Sequence, residues 1–302
     1  MKQVYVTNKL SDTVYGIVED DPFLENPIMY VVFGSDRAAL IDTGCATGDL
    51  LEYLRNDFLE NCTDQQAKLI RNGLVVINTH NHYDHVASNW RFSDPKSGLT
   101  HGVLDLCASS ADRAYTTEHF STLSWYSGCR VRPYAVTKWL DDGEKLQLSN
   151  KENDGSWLEV IHSPGHTPDS ICLFYPKDCR LFVGDVIYRW AFVMAVGVKA
   201  CPSEFERSTS QLHDFIQAKE RELGRPVTLS CGHNDDTLES TYMERLATLF
   251  RRINSGALSS QSSCCSLYSE YSDGDGSISV AIRKLRKLDP IIKPVLKLCC
   301  RR

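Results

Sequence analysis

The chain predicts an α/β fold. Three observations predict it: short β-branched runs alternate with longer stretches of helical spacing, turn residues separate them, and chemistry-bearing side chains fall just after the strands. Layered α/β folds collect functional groups at such strand ends.

Residues 14–18, 29–33 and 38–41 are apolar and β-branched, divided by Asp, Pro, Asn and Gly as a β-meander requires. Leu50, Leu51, Leu54, Phe58 and Leu59 then recur at helical spacing, and residues 74–77 read as a buried strand. The second half repeats the plan, with strands at 157–161, 171–175 and 181–183, a helix at 204–223, a strand at 227–230 and a helix near 238–253. Similarity between the halves is too weak to make a sequence repeat. Residues 89–155, rich in Ser, Tyr and Trp, read as an insertion that forms a substrate wall or lid. Residues 255–276 are Ser-rich with Gly256, Gly274 and Gly276 and read as a linker, and residues 277–282 alternate like a final edge strand. Beyond them seven apolar residues recur among basic ones in a segment that Pro290 and Pro294 interrupt. The expected division is a catalytic domain over 1–255, then linker, strand and basic amphipathic tail over 256–302.

Residues 79–85 read Thr-His-Asn-His-Tyr-Asp-His, a density of imidazole and carboxylate that points to bound metal. His80 and His82 alternate and so share one side of an extended segment, whereas Asp84 and His85 lie where the chain can turn towards a second ion. Each ion needs further ligands, which the loops after later strands supply. His166 lies in Ser-Pro-Gly-His-Thr-Pro, Asp185 follows Leu-Phe-Val-Gly, and His233 lies in Ser-Cys-Gly-His-Asn. Upstream, Asp42 ends the run Ala-Ala-Leu-Ile-Asp-Thr-Gly. Any one of these reads equally well as a turn residue; the set does not. Cys231, two residues before His233, reads as a small buried residue at a strand end.

In this order the five segments resemble the motifs of the metallo-β-lactamase superfamily, over about residues 14–255. The resemblance implies a four-layer αββα sandwich. It further implies that His80, His82 and His166 hold one divalent ion, that Asp84, His85 and His233 hold a second, that Asp185 bridges the two, and that Asp42 orients a ligand histidine. Zinc is the expected metal, with iron or manganese as alternatives that ligand type alone does not separate.

Two such ions about 3.5–4 Å apart lower the pKa of a shared water from about 15.7 towards about 7, so that a metal-bridging hydroxide attacks a thioester, ester or lactone carbonyl. Asp84 is given the catalytic role of orienting that nucleophile besides its place as a ligand. Gly184-Asp-Val-Ile-Tyr188 and the later Cys-Gly-His resemble the acyl-coenzyme A thioesterase branch, which makes an acyl-CoA the expected substrate. A glyoxalase II-like glutathione thioester hydrolase is the runner-up, lowered by the absence of a Gly- and Lys-rich segment after Asp185; a lactonase and an iron-dependent redox relative follow.

The net charge of −6 is unevenly placed. Residues 281–302 carry eight basic side chains against Asp289, a charge of +7, which leaves −13 on residues 1–280. So acidic a body disfavours nucleic acid as substrate, because each bound phosphate needs neutralising. No run of about 18 apolar residues appears, and the N-terminus lacks the apolar core of a signal peptide. Twelve cysteines without a C-x-x-C pair read as reduced thiols, so a cytoplasmic enzyme is expected. Cys299 and Cys300, beside Arg301 and Arg302, make the tail a candidate for S-acylation and membrane-surface contact, with a solubilising or domain-packed tail as the alternative.

Overall fold

The structure, a computed structural model, describes residues 4–151, 154–195, 199–261 and 268–283. Two mixed sheets face one another. The first has seven strands in the spatial order Tyr5–Lys9, Val14–Glu19, Ile28–Phe33, Ala38–Ile41, Leu74–Ile77, Val103–Ser109 and Lys138–Leu140. Its first four strands run antiparallel, after which the pairings turn parallel. The second sheet orders Lys145–Gln147, Trp157–His162, Ile171–Tyr175, Arg180–Gly184, Thr228–Cys231 and Leu238–Glu239.

Side-chain alternation along the strands sorts residues into layers. Ile28, Tyr30 and Val32 point between the sheets with Val75, Ile77, Leu158, Val160, Leu173 and Phe182, forming the central core. Met29, Val31 and Phe33 point the other way and pack on Leu50, Leu54, Phe58, Leu69 and Ile70 of the helical layer beyond. Across the second sheet, Cys172, Phe174, Leu181 and Val183 meet Phe205, Leu212 and Ile216 of helix Pro202–Leu223 and Met243, Leu246 and Phe250 of helix Thr241–Asn254. These are the four layers of an αββα sandwich. Truncating a fully buried aromatic such as Phe182 to Ala would cost about 3–5 kcal/mol.

Several local expectations are corrected. The helix expected from Leu50 to Leu59 is two pieces, Leu50–Arg55 and a 3-10 turn Asp57–Asn61, because Asn56 leaves helical geometry at φ −125° and ψ −87°. Residues 89–155 are not one insertion: Val103–Ser109 and Lys138–Leu140 extend the first sheet and Lys145–Gln147 edges the second, which leaves residues 110–137 as the irregular part. The expected edge strand forms as Ser279–Arg283 but is the middle of a three-stranded sheet, between Phe192–Ala195 and Tyr268–Ser272. Tyr268–Ser272 itself falls within the stretch read as linker. The basic tail and its terminal cysteines lie outside the described residues.

Candidate metal centre

Strand Leu74–Ile77 ends at the metal-binding run, and His82 sits just ahead of the single turn Tyr83–Val86. The extended part therefore presents His80 and His82, and the turn swings Asp84 and His85 to another side. His166 comes from the loop between Trp157–His162 and Ile171–Tyr175, Asp185 from the residue after Arg180–Gly184, and His233 from the loop after Thr228–Cys231. All seven sequence-predicted donors meet at one end of the sandwich, every one of them buried.

They form two groups, His80, His82 and His166 in one and Asp84, His85, Asp185 and His233 in the other, with the donor atoms of each group within 4.8 Å of one another. In the first, His82 Nδ1 lies 3.1 Å from His80 Nε2 and 2.9 Å from His166 Nε2. His166 Nδ1 donates to the Met194 carbonyl at 2.7 Å, so its Nε2 carries the lone pair. His80 Nδ1 lies 3.0 Å from Thr79 Oγ1, whose proton goes to Asp42 Oδ2 at 2.8 Å; Nε2 is then the inward lone pair here too. In the second group Asp84 Oδ2 lies 3.4 Å from His85 Nε2 and 3.2 Å from His233 Nε2. Asp185 faces both groups, with Oδ1 3.3 Å from His85 Nε2 and Oδ2 3.6 Å from His166 Nε2.

These donors fit divalent cations. His85 Nε2 and Asp185 Oδ1 are buried without a hydrogen-bond partner, a costly state for polar atoms unless something else satisfies them. Lone pairs converging at about 3 Å repel one another, and a cation removes that repulsion. Gly232 completes the cradle, since a Cβ there would stand 2.4 Å from Asp185 Oδ1 and 2.9 Å from His85 Cε1.

Electrostatics separates the two groups. Burial, reinforced by the neighbouring imidazoles, pushes His80 and His82 down, His82 to about 3; burial also lowers His166. That group stays neutral and ready to ligate. Burial pushes His85 and His233 down as well, but the carboxylates, Asp185 foremost, outweigh it and hold both well above the usual imidazole range. For Asp84 and Asp185 burial acts upward, and His85 and His233 overcome it to keep both carboxyls ionised.

The expected orienting role of Asp42 has a clear geometry. Asp42 leaves its strand with φ +63° and accepts from the Thr79 N–H at 2.7 Å and from His85 Nδ1 at 2.8 Å. His233 Nδ1 is fixed by the Glu25 carbonyl at 2.8 Å, and the Glu25 side chain accepts from the Tyr83 hydroxyl. Sequence reading did not find Glu25, which lies in a loop with no motif. Cys231 is buried at a strand end, its thiol pushed up by burial, and belongs to neither donor group. Within the segment read as a substrate wall, Tyr134 donates to Asn81 Oδ1 at 2.7 Å and the Tyr115 carbonyl accepts from Asn81 Nδ2 at 3.4 Å, so both brace the loop between His80 and His82.

Four layers carrying paired His and Asp donor groups define a metal-dependent hydrolase of the layered α/β kind. A family model described as the metallo-beta-lactamase superfamily matches residues 25–233, and the chain belongs to that family. It is 30% identical over 203 residues to the acyl-coenzyme A thioesterase MBLAC2 of Homo sapiens, covering 61% of this chain and 67% of the relative. It is 27% identical over 214 residues to a hydroxyacylglutathione hydrolase of Methylococcus capsulatus, covering 70% and 64%. Among solved structures, a metallo-beta-lactamase family protein from Thermus thermophilus superposes with a TM-score of 0.59 at 19% identity, covering 82% of this chain and 81% of that one. That likeness concerns the fold.

Proposed function

We propose that the protein is a metal-dependent thioester hydrolase whose substrate is an acyl-coenzyme A. His80, His82 and His166 would hold one divalent ion, Asp84, His85 and His233 a second, and Asp185 both. What carries this assignment is the pair of buried donor groups with Asp185 turned to each, joined to a similarity with an acyl-coenzyme A thioesterase. Bound there, the ions supply Lewis acidity, which makes water nucleophilic at neutral pH and polarises a carbonyl oxygen.

The chain's own residues do the rest. Asp84, kept ionised by His85 and His233, orients the attacking water as an acceptor. Asp42, the Met194 carbonyl and the Glu25 carbonyl hold His85, His166 and His233 in single tautomers, so the ligand nitrogens need no reorganisation. The departing thiolate is a good leaving group near neutral pH and needs no strong acid.

Zinc is the metal we assign, and a panel of thioesters assayed with metal content measured on the same sample tests both points. Preferred turnover of acyl-CoA is the expected result. Preference for a glutathione thioester would move the assignment to the second reading, which the Methylococcus relative favours, and turnover of lactones alone would refute both. Cytoplasmic residence accords with the eight cysteines among the described residues, all free thiols. No helix among these residues is long and apolar enough to cross a membrane. Membrane-surface contact through the tail rests on its sequence; equal soluble fractions for the full chain and a truncation after Ile282 would remove it.

A further inference from the structure

One buried carboxylate outside the donor groups ties together the segments that carry the first of them. Asp169 is only 2% exposed, and it follows His166 by three residues on the turn leading into strand Ile171–Tyr175. The Thr116 hydroxyl donates to its Oδ2 at 2.8 Å. Thr167 adjoins His166, Asn81 stands between His80 and His82, and Thr116 belongs to the short helix Arg113–Thr117 of the irregular segment. That segment grips Asn81. Asn81 Nδ2 donates to Ser121 Oγ at 2.7 Å, and Tyr134 donates to Asn81 Oδ1 at 2.7 Å. The residue between the two histidines is thus held by its side chain on residues 110–137, and Asp169 holds the same segment through Thr116.

We propose that Asp169 is a positioning residue, holding the His80–His82 loop and the His166 loop at the separation the first donor group needs. It acts through Thr116 and the segment that grips Asn81. A buried carboxylate is costly unless its acceptor capacity is used, and Oδ1 has no hydrogen-bond partner. That cost is tolerable where the carboxylate joins the His166 turn to the segment that grips Asn81, which an apolar side chain of this size cannot do. The proposal rests on the assignment of His80, His82 and His166 as ligands.

Asp169→Asn and Thr116→Val test it on the full chain, with cobalt(II) titrated into the metal-free protein and followed by its visible absorption. The amide keeps the shape of the carboxylate but removes the charge that strengthens the Thr116 hydrogen bond. The expected result for Asp169→Asn is a 10- to 100-fold loss of cobalt affinity at one of two sites, about what losing an outer partner of a ligand costs, with an altered spectrum at that site. Turnover falls through kcat rather than KM. Thr116→Val, which removes the hydroxyl donor itself, should shift affinity in the same direction. Two unchanged cobalt affinities and spectra, with only a lower melting temperature, would show Asp169 to be a packing residue and overturn the proposal. If the unsubstituted protein fails to bind two equivalents, the ligand assignment fails instead, which separates the two outcomes.

Discussion

Asp42→Asn removes the direct hold on His85 and reaches His80 only at one remove, through the Thr79 hydroxyl. Asn tolerates the left-handed backbone at this position, where φ is +63°, so the substitution leaves the chain path alone. The amide oxygen can keep the Thr79 N–H, now 2.7 Å from Oδ1. The amide nitrogen then stands where Oδ2 accepts from Thr79 Oγ1 at 2.8 Å and from His85 Nδ1 at 2.8 Å. The threonine hydroxyl can rotate away; the imidazole cannot, since its other nitrogen faces Asp84 and Asp185. One charge-assisted hydrogen bond is therefore lost, worth about 1.5–3 kcal/mol, which corresponds to about a 10- to 150-fold weakening of metal affinity. Chelator competition reads that loss directly, and it should fall on the site built from Asp84, His85 and His233. Weakening of less than about threefold would refute the view that Asp42 fixes the ligand tautomer.

Other substitutions probe different parts of the molecule. His82→Ala and His166→Ala should each abolish hydrolysis and lower metal content, as one ion loses one of three nitrogens; full metal occupancy at full rate would exclude these ligands. Trp190 and Phe192 are 72% and 41% exposed, on the segment whose Met194 carbonyl holds His166. If this rim grips an acyl chain, palmitoyl-CoA exceeds acetyl-CoA in kcat/KM, and Trp190→Ser with Phe192→Ser narrows the gap by about 5- to 150-fold, equivalent to about 1–3 kcal/mol of apolar contact. An undiminished gap places the chain elsewhere. Burial raises Asp169 to about 6, with the surrounding donors acting against it. Between about pH 4 and 6 the folded chain keeps a proton that the unfolded chain has lost, so this group's contribution to stability falls as pH rises through that window and stays low above it. The change amounts to about 3 kcal/mol. Urea denaturation of metal-free protein should show Asp169→Asn gaining on the natural chain between pH 4.5 and 7.5; parallel profiles would count against a titrating Asp169.

The donors were legible in the sequence because metal chemistry restricts residue type and local spacing together: His80, His82, Asp84 and His85 share one strand-to-helix transition, and the others each follow a strand. Strands with near-continuous apolar runs, such as Ile28–Phe33 and Leu74–Ile77, were equally legible. Val103–Ser109 was not, since Asp105 and Ser109 interrupt its pattern and its identity comes from pairing with Leu74–Ile77. Helix Asp64–Asn72 offers only a short apolar stripe, and its usable signal was the capping box of Thr63 and Gln66. Sheet order is harder still, because whether Ser279–Arg283 lies at an edge depends on a partner more than eighty residues upstream. The supporting residues of the site share that difficulty. Asp169 and Asn81 hold the hydroxyls of Thr116 and Ser121, and the Glu25 carbonyl holds the His233 ring; groups chosen for contacts so distant in sequence carry no local spacing to betray them. Candidate ligands are therefore read from sequence through their chemistry, whereas the residues that aim them emerge only once the two sheets are packed.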